Sequence, residues 1–289
     1  MSLHVETFGS GAPLLLIHGW GMHGGMWGEV VEKLATDFCV QVVDLPGHGK
    51  CNGKCICPSP LGRGSKGEGA HVQIPRLFIK PSLTPALSQG ERELDAIVAQ
   101  LAAQFSEPLT LCGWSLGGQI ALRWAQLEPH KIQGLVLVSS TPCFVQKDGW
   151  DCAMASETLA GFAAALLENH AQTLRRFLAL QVRGSERERE LLTSLRAALF
   201  SRGEPDLDAL KNGLGILRDS DQRAALKDIA QPTLILAGER DTLTPLGAAE
   251  HMATTLPNAR LAKISGAAHA PFLSHPEIFV EQLKNFLHE

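Results

Sequence analysis

Six short apolar, β-favouring runs recur along this chain: Leu14–Ile17, Cys39–Val43, Leu109–Cys112, Leu135–Val138, Thr233–Leu236 and Arg260–Ile264. Between them lie segments of helical period, Met26–Ala35, Leu94–Gln104, Gln119–Gln126, Leu246–Leu256 and Pro276–Leu287. Strands alternating with amphipathic helices imply an α/β chain, a mostly parallel twisted sheet with helices on both faces. Length allows one large domain or two small ones, and 45% hydrophobic residues in 289 supply an ample core. From Cys143 to about Ile229 the strand signal stops, and only helical segments remain: roughly Glu157–His170, Thr173–Val182, Glu186–Phe200 and Leu207–Leu217. A helical insertion between two strands of an open sheet reads as a lid over the sheet's carboxyl edge, where ligands bind. The expected division is a core of residues 1–142 and 230–289 with a helical lid of residues 143–229.

Residues 50–91 break the pattern. "KCNGKCICPSPLGRGSKGEGAHVQIPRLFIKPSLTPALSQGE" is rich in Gly, Pro and Ser and has no sustained period. A structureless stretch of this length is unusual inside a compact domain. Its halves, "PSPLGRGSKGEG" and "PSLTPALSQGERE", look like translations of the two arms of a bacterial inverted DNA repeat. It reads as an inserted, disordered segment. Cys51, Cys55 and Cys57 fall within it near His48, but their spacing matches no common zinc module, so no metal is expected. The seven cysteines are otherwise scattered, as in a cytoplasmic protein with free thiols. A net charge of −4 exerts no overall pull toward nucleic acid or an anionic membrane. The longest apolar run near the start, Leu14 to Ile17, is too short for a signal peptide or a membrane span.

The stretch "LTLCGWSLGGQIAL" places Ser115 between Gly113 and Gly117, with a strand pattern before it and a helix pattern after it. G-x-S-x-G alone is weak. In this context it describes a sharp strand-to-helix turn that exposes a serine hydroxyl at the sheet edge, the glycines removing side chains that would collide. A serine is a poor nucleophile without a base to take its proton and an acid to orient that base. In such a fold the chain order is Ser, then Asp or Glu, then His. Asp241 follows the strand "PTLILAG", whereas the end of the preceding strand offers only Ser139, Ser140, Thr141 and Pro142. Among the four histidines beyond Asp241, only His269 sits in a loop directly after the last strand. Two backbone N–H groups are needed for an oxyanion. Leu116 should present one and Trp20, in "LLLIHGWG", the other; Trp20 could instead be a core aromatic.

These residues resemble the α/β-hydrolases, and within them the carboxylesterases of biotin synthesis that act on a carrier-bound methyl ester. The resemblance rests on "LLLIHGWGMHGGMW", "VDLPGHG", "GWSLGG", "VSSTPCF", "RRFLALQ" and "AAHAPFLSHP", spanning nearly the whole chain outside residues 50–91. It implies an α/β-hydrolase fold with the helical lid inserted after the sixth strand. It also implies a triad of Ser115, Asp241 and His269, with Trp20 and Leu116 contacting the substrate carbonyl. Phe162, Ala163, Ala164, Ala165 and Leu166 of the lid would line the acyl chain. The chain departs from the family in interposing residues 50–91 after "PGHG".

The expected reaction is hydrolysis of a methyl ester by a monomer, with no cofactor, no nucleic-acid partner and no membrane. The partner would be an acyl carrier protein bearing the substrate. From Ala171 to Arg202 there are seven arginines and three acids. Arg175, Arg176, Arg183 and Arg187 are the candidates for contact with that acidic carrier, although Glu–Arg pairing on a solvated helix face would produce the same pattern. Phe144, Phe162 and Leu166 suit a methylene chain, or ordinary packing. A general short-chain carboxylesterase, a related hydrolase cutting another bond, and a pseudoenzyme disabled by the insertion remain alternatives.

Overall fold

A computed structural model describes residues 3–51 and 87–289. Seven strands, β1 (His4–Phe8), β2 (Ala12–Ile17), β3 (Phe38–Asp44), β4 (Leu109–Trp114), β5 (Ile132–Val138), β6 (Thr233–Gly238) and β7 (Ala259–Ile264), form one sheet in the order β1-β3-β2-β4-β5-β6-β7. Only β1 runs antiparallel, against β3; every other neighbouring pair is parallel. Leu14–Ile17 and Leu135–Val138 are fully buried, because a parallel strand is covered by helices on both faces. No residue of β1 is fully buried, which explains why no apolar run marks it.

Ten α-helices accompany the sheet among the described residues: α1 (Val30–Leu34), α2 (Gln89–Gln104), α3 (Leu116–Leu127), α4 (Ser156–Glu168), α5 (His170–Val182), α6 (Glu188–Ala198), α7 (Leu207–Asp219), α8 (Leu246–Thr255), α9 (Pro271–Ser274) and α10 (Pro276–Leu287). None is long and apolar enough to cross a membrane. The helical stretch expected at Met26–Ala35 divides into a 3₁₀ turn, Gly24–Trp27, and α1, with Gly28 at φ +60° between them. A left-handed residue cannot continue a right-handed helix.

Two expectations are corrected. The helical segment α4–α7 follows the fifth strand rather than the sixth, since a single antiparallel strand precedes β2 among the described residues. The segment read as inserted gives up its last residues to α2. Ser88 caps that helix by accepting from Glu91 N–H at 3.2 Å, while the Glu91 carboxylate accepts from Ser88 N–H at 2.8 Å. The polar first turn hid this start, because apolar periodicity begins only at Leu94. Most of the stretch read as inserted, with Cys55 and Cys57, lies outside the described residues. Cys51 packs against the core as a free thiol.

From β2 the chain crosses to β3 on one side, while β4 pairs on the other. Strand order therefore reverses at β2 and β4, and the crevice at their carboxyl ends is where an open α/β sheet binds ligands.

Candidate active site

Ser115 stands at that crevice, between the last residue of β4 and the first of α3. Its backbone adopts φ 56°, ψ −115°, a conformation costing a non-glycine residue on the order of 1–3 kcal/mol. Neighbouring bonds enforce it. Ser115 N–H donates to Val138 O at 2.9 Å, and Ser115 O accepts from Gly118 N–H at 2.9 Å and from Ser140 Oγ at 2.8 Å. A Cβ on Gly117 would run into the Ile17 carbonyl, and one on Gly113 into the Gly117 carbonyl. The glycines thus let α3 start against the end of β2.

Asp241 and His269 come from the loops after β6 and β7. Asp241 Oδ1 accepts from Leu243 N–H (2.8 Å) and Thr244 N–H (3.0 Å); Oδ2 accepts from Thr244 Oγ1 (2.7 Å) and His269 Nδ1 (2.8 Å). Burial alone would raise its carboxyl pKa, but His269 and these donors outweigh that and hold it below the usual carboxylate range. An ionised carboxylate can only accept, so Nδ1 must carry the proton of the neutral ring, leaving the Nε2 lone pair available. Nε2 is buried and has no hydrogen-bond partner among the described residues. Trp114 Nε1 donates to His269 O at 2.8 Å, joining the loop of His269 to the residue before Ser115.

The loop after β2 closes the third side. A Cβ on Gly19 would lie 3.3 Å from Ser115 Cβ, so Trp20 begins where the serine ends. Leu116 opens α3, and the first amide of a helix has no intrahelical acceptor. The Trp20 ring is buried as well. Its Nε1 donates to Leu210 O at 2.9 Å, and it meets Phe177 edge-on at 4.9 Å. Both readings of Trp20, loop amide and packed aromatic, are therefore compatible. His18 braces the loop: Nδ1 donates to Gly19 O at 2.8 Å and Nε2 accepts from Leu45 N–H at 3.0 Å. Burial, then the neighbouring His48, lowers the His18 pKa to about 3, so the ring is neutral.

The structure divides the run Phe162–Leu166. Five consecutive helical residues sweep more than a full turn, so they cannot all face one pocket. Phe162 meets Phe177 edge-on at 6.0 Å and thereby reaches the Trp20 cluster. Ala163 and Leu166 border a cavity of about 760 Å³ between α4, α7 and the start of α2, which none of Ser115, Trp20, Leu116 or His269 lines. Ala164 is exposed and Ala165 half-buried. Phe144 is a core residue. Besides Leu210, the residues of the helical segment that touch the site include Phe177, against Trp20, and Gln181, whose carbonyl accepts from His269 N–H at 3.0 Å. Gln181 is buried, and its Oε1 has no hydrogen-bond partner among the described residues. Both Phe177 and Gln181 fall in the helical stretch Thr173–Val182, but nothing in the sequence singled them out.

Arg175, Arg176, Arg183 and Arg187 are all exposed. Arg187 pairs with Glu190, its Nε donating at 2.9 Å, and Arg175 lies 5.5 Å over the Phe200 ring. Arg202 leaves the exposed group, for it is largely buried against Asp44 and Glu6.

A mainly parallel sheet with a serine on a strained strand-to-helix turn defines an α/β-hydrolase. Residues 14–282 match the alpha/beta hydrolase family, and the chain belongs to it. It is 41% identical over 280 residues to the pimeloyl-[acyl-carrier protein] methyl ester esterase of Nitrosomonas europaea, covering 96% of this chain and 97% of that protein. The corresponding esterase of Chromobacterium violaceum is 40% identical over 287 residues, covering 99% and 98%. Among solved structures, an esterase from Exiguobacterium antarcticum matches with a TM-score of 0.78 at 22% identity, covering 99% of this chain and 96% of that one. A bromoperoxidase from Bacillus anthracis matches at 0.77 and 20%, covering 99% and 95%. At such identities these two share the fold.

Proposed function

We propose that this chain hydrolyses the methyl ester of pimeloyl-acyl carrier protein, releasing methanol, with Ser115 as nucleophile, His269 as base and Asp241 as its orienting acid. The observation carrying this reading is the Asp241–His269 bond, which leaves an unpartnered Nε2 at the edge that holds Ser115, in a chain 41% identical to a pimeloyl-[acyl-carrier protein] methyl ester esterase. Nε2 takes the Ser115 proton as Oγ attacks the ester carbonyl, and Asp241 stabilises the imidazolium. The amides of Trp20 and Leu116 receive the oxyanion. His269 returns the proton to the leaving methoxide, and water then cleaves the acyl-enzyme by the same route.

Residues 143–229 act as the lid over a core of residues 1–142 and 230–289. Phe162 and Phe177 with Trp20 make the aromatic wall for the acyl chain. The partner is the acidic carrier, met on the face of Arg175, Arg176, Arg183 and Arg187, and the site of action is the cytoplasm, as a monomer. The test is growth of a biotin auxotroph lacking its own esterase, together with methanol release from the purified carrier-bound ester. Rescue by the parent but not by Ser115→Ala is expected. Turnover of simple nitrophenyl esters without rescue would favour a general carboxylesterase instead.

A further inference from the structure

Past Gly21, the loop carrying Trp20 is held from the side of the helical segment. His23 Nε2 lies 2.9 Å from Ala198 O at the end of α6, and Trp20 Nε1 bonds to Leu210 O of α7. Gly24 N–H donates to Asp44 Oδ1 at 2.6 Å. Asp44 is fully buried at the end of β3, and its Oδ2 also accepts from Lys50 N–H at 2.8 Å. Both carboxylate oxygens then meet Arg202 Nη1, at 3.4 and 3.3 Å, while Arg202 Nη2 donates to Glu6 of β1. The guanidinium covers Gly25 so closely that a Cβ there would be 2.8 Å from Nε. With its side chain only 16% exposed, Arg202 is enclosed by three elements: the Trp20 loop, the end of β3 and the edge strand.

We infer that Arg202 is a positioning residue: by clamping Asp44 and lying over Gly25, it sets the loop that presents the Trp20 amide. The inference rests on the reading of that amide as an oxyanion donor. A buried carboxylate needs its full set of donors, or it turns to find others. Asp44 freed of Arg202 keeps only two backbone donors, one of them in this loop. Any rotation of the carboxylate is passed directly to Gly24, four residues from Trp20. The planar fork matters because it reaches Asp44 and Glu6 together, which a single ammonium cannot do in the same way.

The test compares Arg202→Met, which keeps the stem, and Arg202→Lys, which keeps the charge, with the parent chain. Four quantities are read: kcat and KM on a nitrophenyl butyrate, affinity for an aryl trifluoromethyl ketone whose adduct places an alkoxide at the oxyanion position, and melting temperature. In Arg202→Met, kcat should fall roughly 10-fold or more at nearly constant KM, less than for outright loss of an oxyanion donor. Ketone affinity should fall in parallel, with Arg202→Lys recovering part of both. A purely structural role would lower the melting temperature and leave kcat and ketone affinity of the folded protein unchanged, overturning the inference. If Arg202→Met does not fold, the same two readouts on Arg202→Lys decide, and no change in either overturns it. Failure of a fluorophosphonate to label Ser115 in the parent would sink the hydrolase reading and this inference together. Labelling with unaltered variants sinks only the role of Arg202.

Discussion

The His269 amide donates to the Gln181 carbonyl at 3.0 Å, so the end of α5 and the loop of the proposed base form one hydrogen-bonded unit. From the opposite side, Trp114 Nε1 holds the carbonyl of the same residue at 2.8 Å. His269 is therefore fixed at its backbone by the helical segment and by β4, and at its ring by Asp241. Movement of the start of α4 is compatible with this arrangement; lifting the end of α5 is not, because it would pull on the base.

Trp114→Phe removes that indole donor with little change of shape, leaving the His269 carbonyl buried and unpaired. The cost expected in urea unfolding is about 1–3 kcal/mol, together with a fall in kcat as the loop loosens. Unchanged unfolding and unchanged turnover would show that the carbonyl finds another donor.

Asp241→Asn should leave the fold intact and lower kcat on the order of 10⁴-fold, because an amide in its place favours the wrong tautomer of His269. Thr244→Val, which withdraws one of four donors to the carboxylate, should cost far less. Steady-state kinetics on one ester would rank the two, and equal losses would argue against Asp241 as the orienting acid.

Stability should fall as the solution is acidified from neutrality. His18 is neutral in the fold with a pKa of about 3, against an ordinary histidine value of 6.5, and burial lowers His23 and His48 in the same direction. Below pH 6.5 the unfolded chain takes up a proton at His18 that the folded chain refuses until about pH 3, so unfolding gains about 1.4 kcal/mol per pH unit from this group across that window. Melting curves of His18→Gln between pH 7 and 4 should be flatter with pH than those of the parent. Parallel slopes would mean His18 is protonated in the fold.

Gly117→Ala drives a methyl into the Ile17 backbone carbonyl, where no flexible side chain can yield. We expect a loss of several kcal/mol, or a displaced Ser115 that no longer reacts with a fluorophosphonate. A stable variant with parent labelling rates would mean that α3 can shift without moving the serine.

Arg176 and Arg183 make no ion pair among the described residues, whereas Arg187 is paired with Glu190. Charge reversal at Arg176 and Arg183 should therefore weaken use of the carrier-bound ester more than reversal at Arg187. Added salt should slow that reaction selectively in the parent, while hydrolysis of a small free ester is unchanged. Equal effects on both substrates would reduce the arginines to a solvated surface.

Alternating apolar runs and helical periods determined the parallel sheet, because each is a local pattern written within one element. That Ser115, Asp241 and His269 follow the carboxyl ends of their strands was legible for a related reason: each strand is a local pattern, and a parallel sheet brings those ends to one edge. The antiparallel strand at His4–Phe8 escaped because half-exposed edge residues need no apolar run. Periodicity indicated a helix over Thr173–Val182, but which neighbours Phe177 and Gln181 meet depends on how α5 is laid across the sheet. Likewise Arg202 reads as one more cation among seven until folding encloses it with Asp44 and Glu6. A helix records in its sequence which face it buries, while the partner of that face comes from distant chain and is decided only when the elements pack.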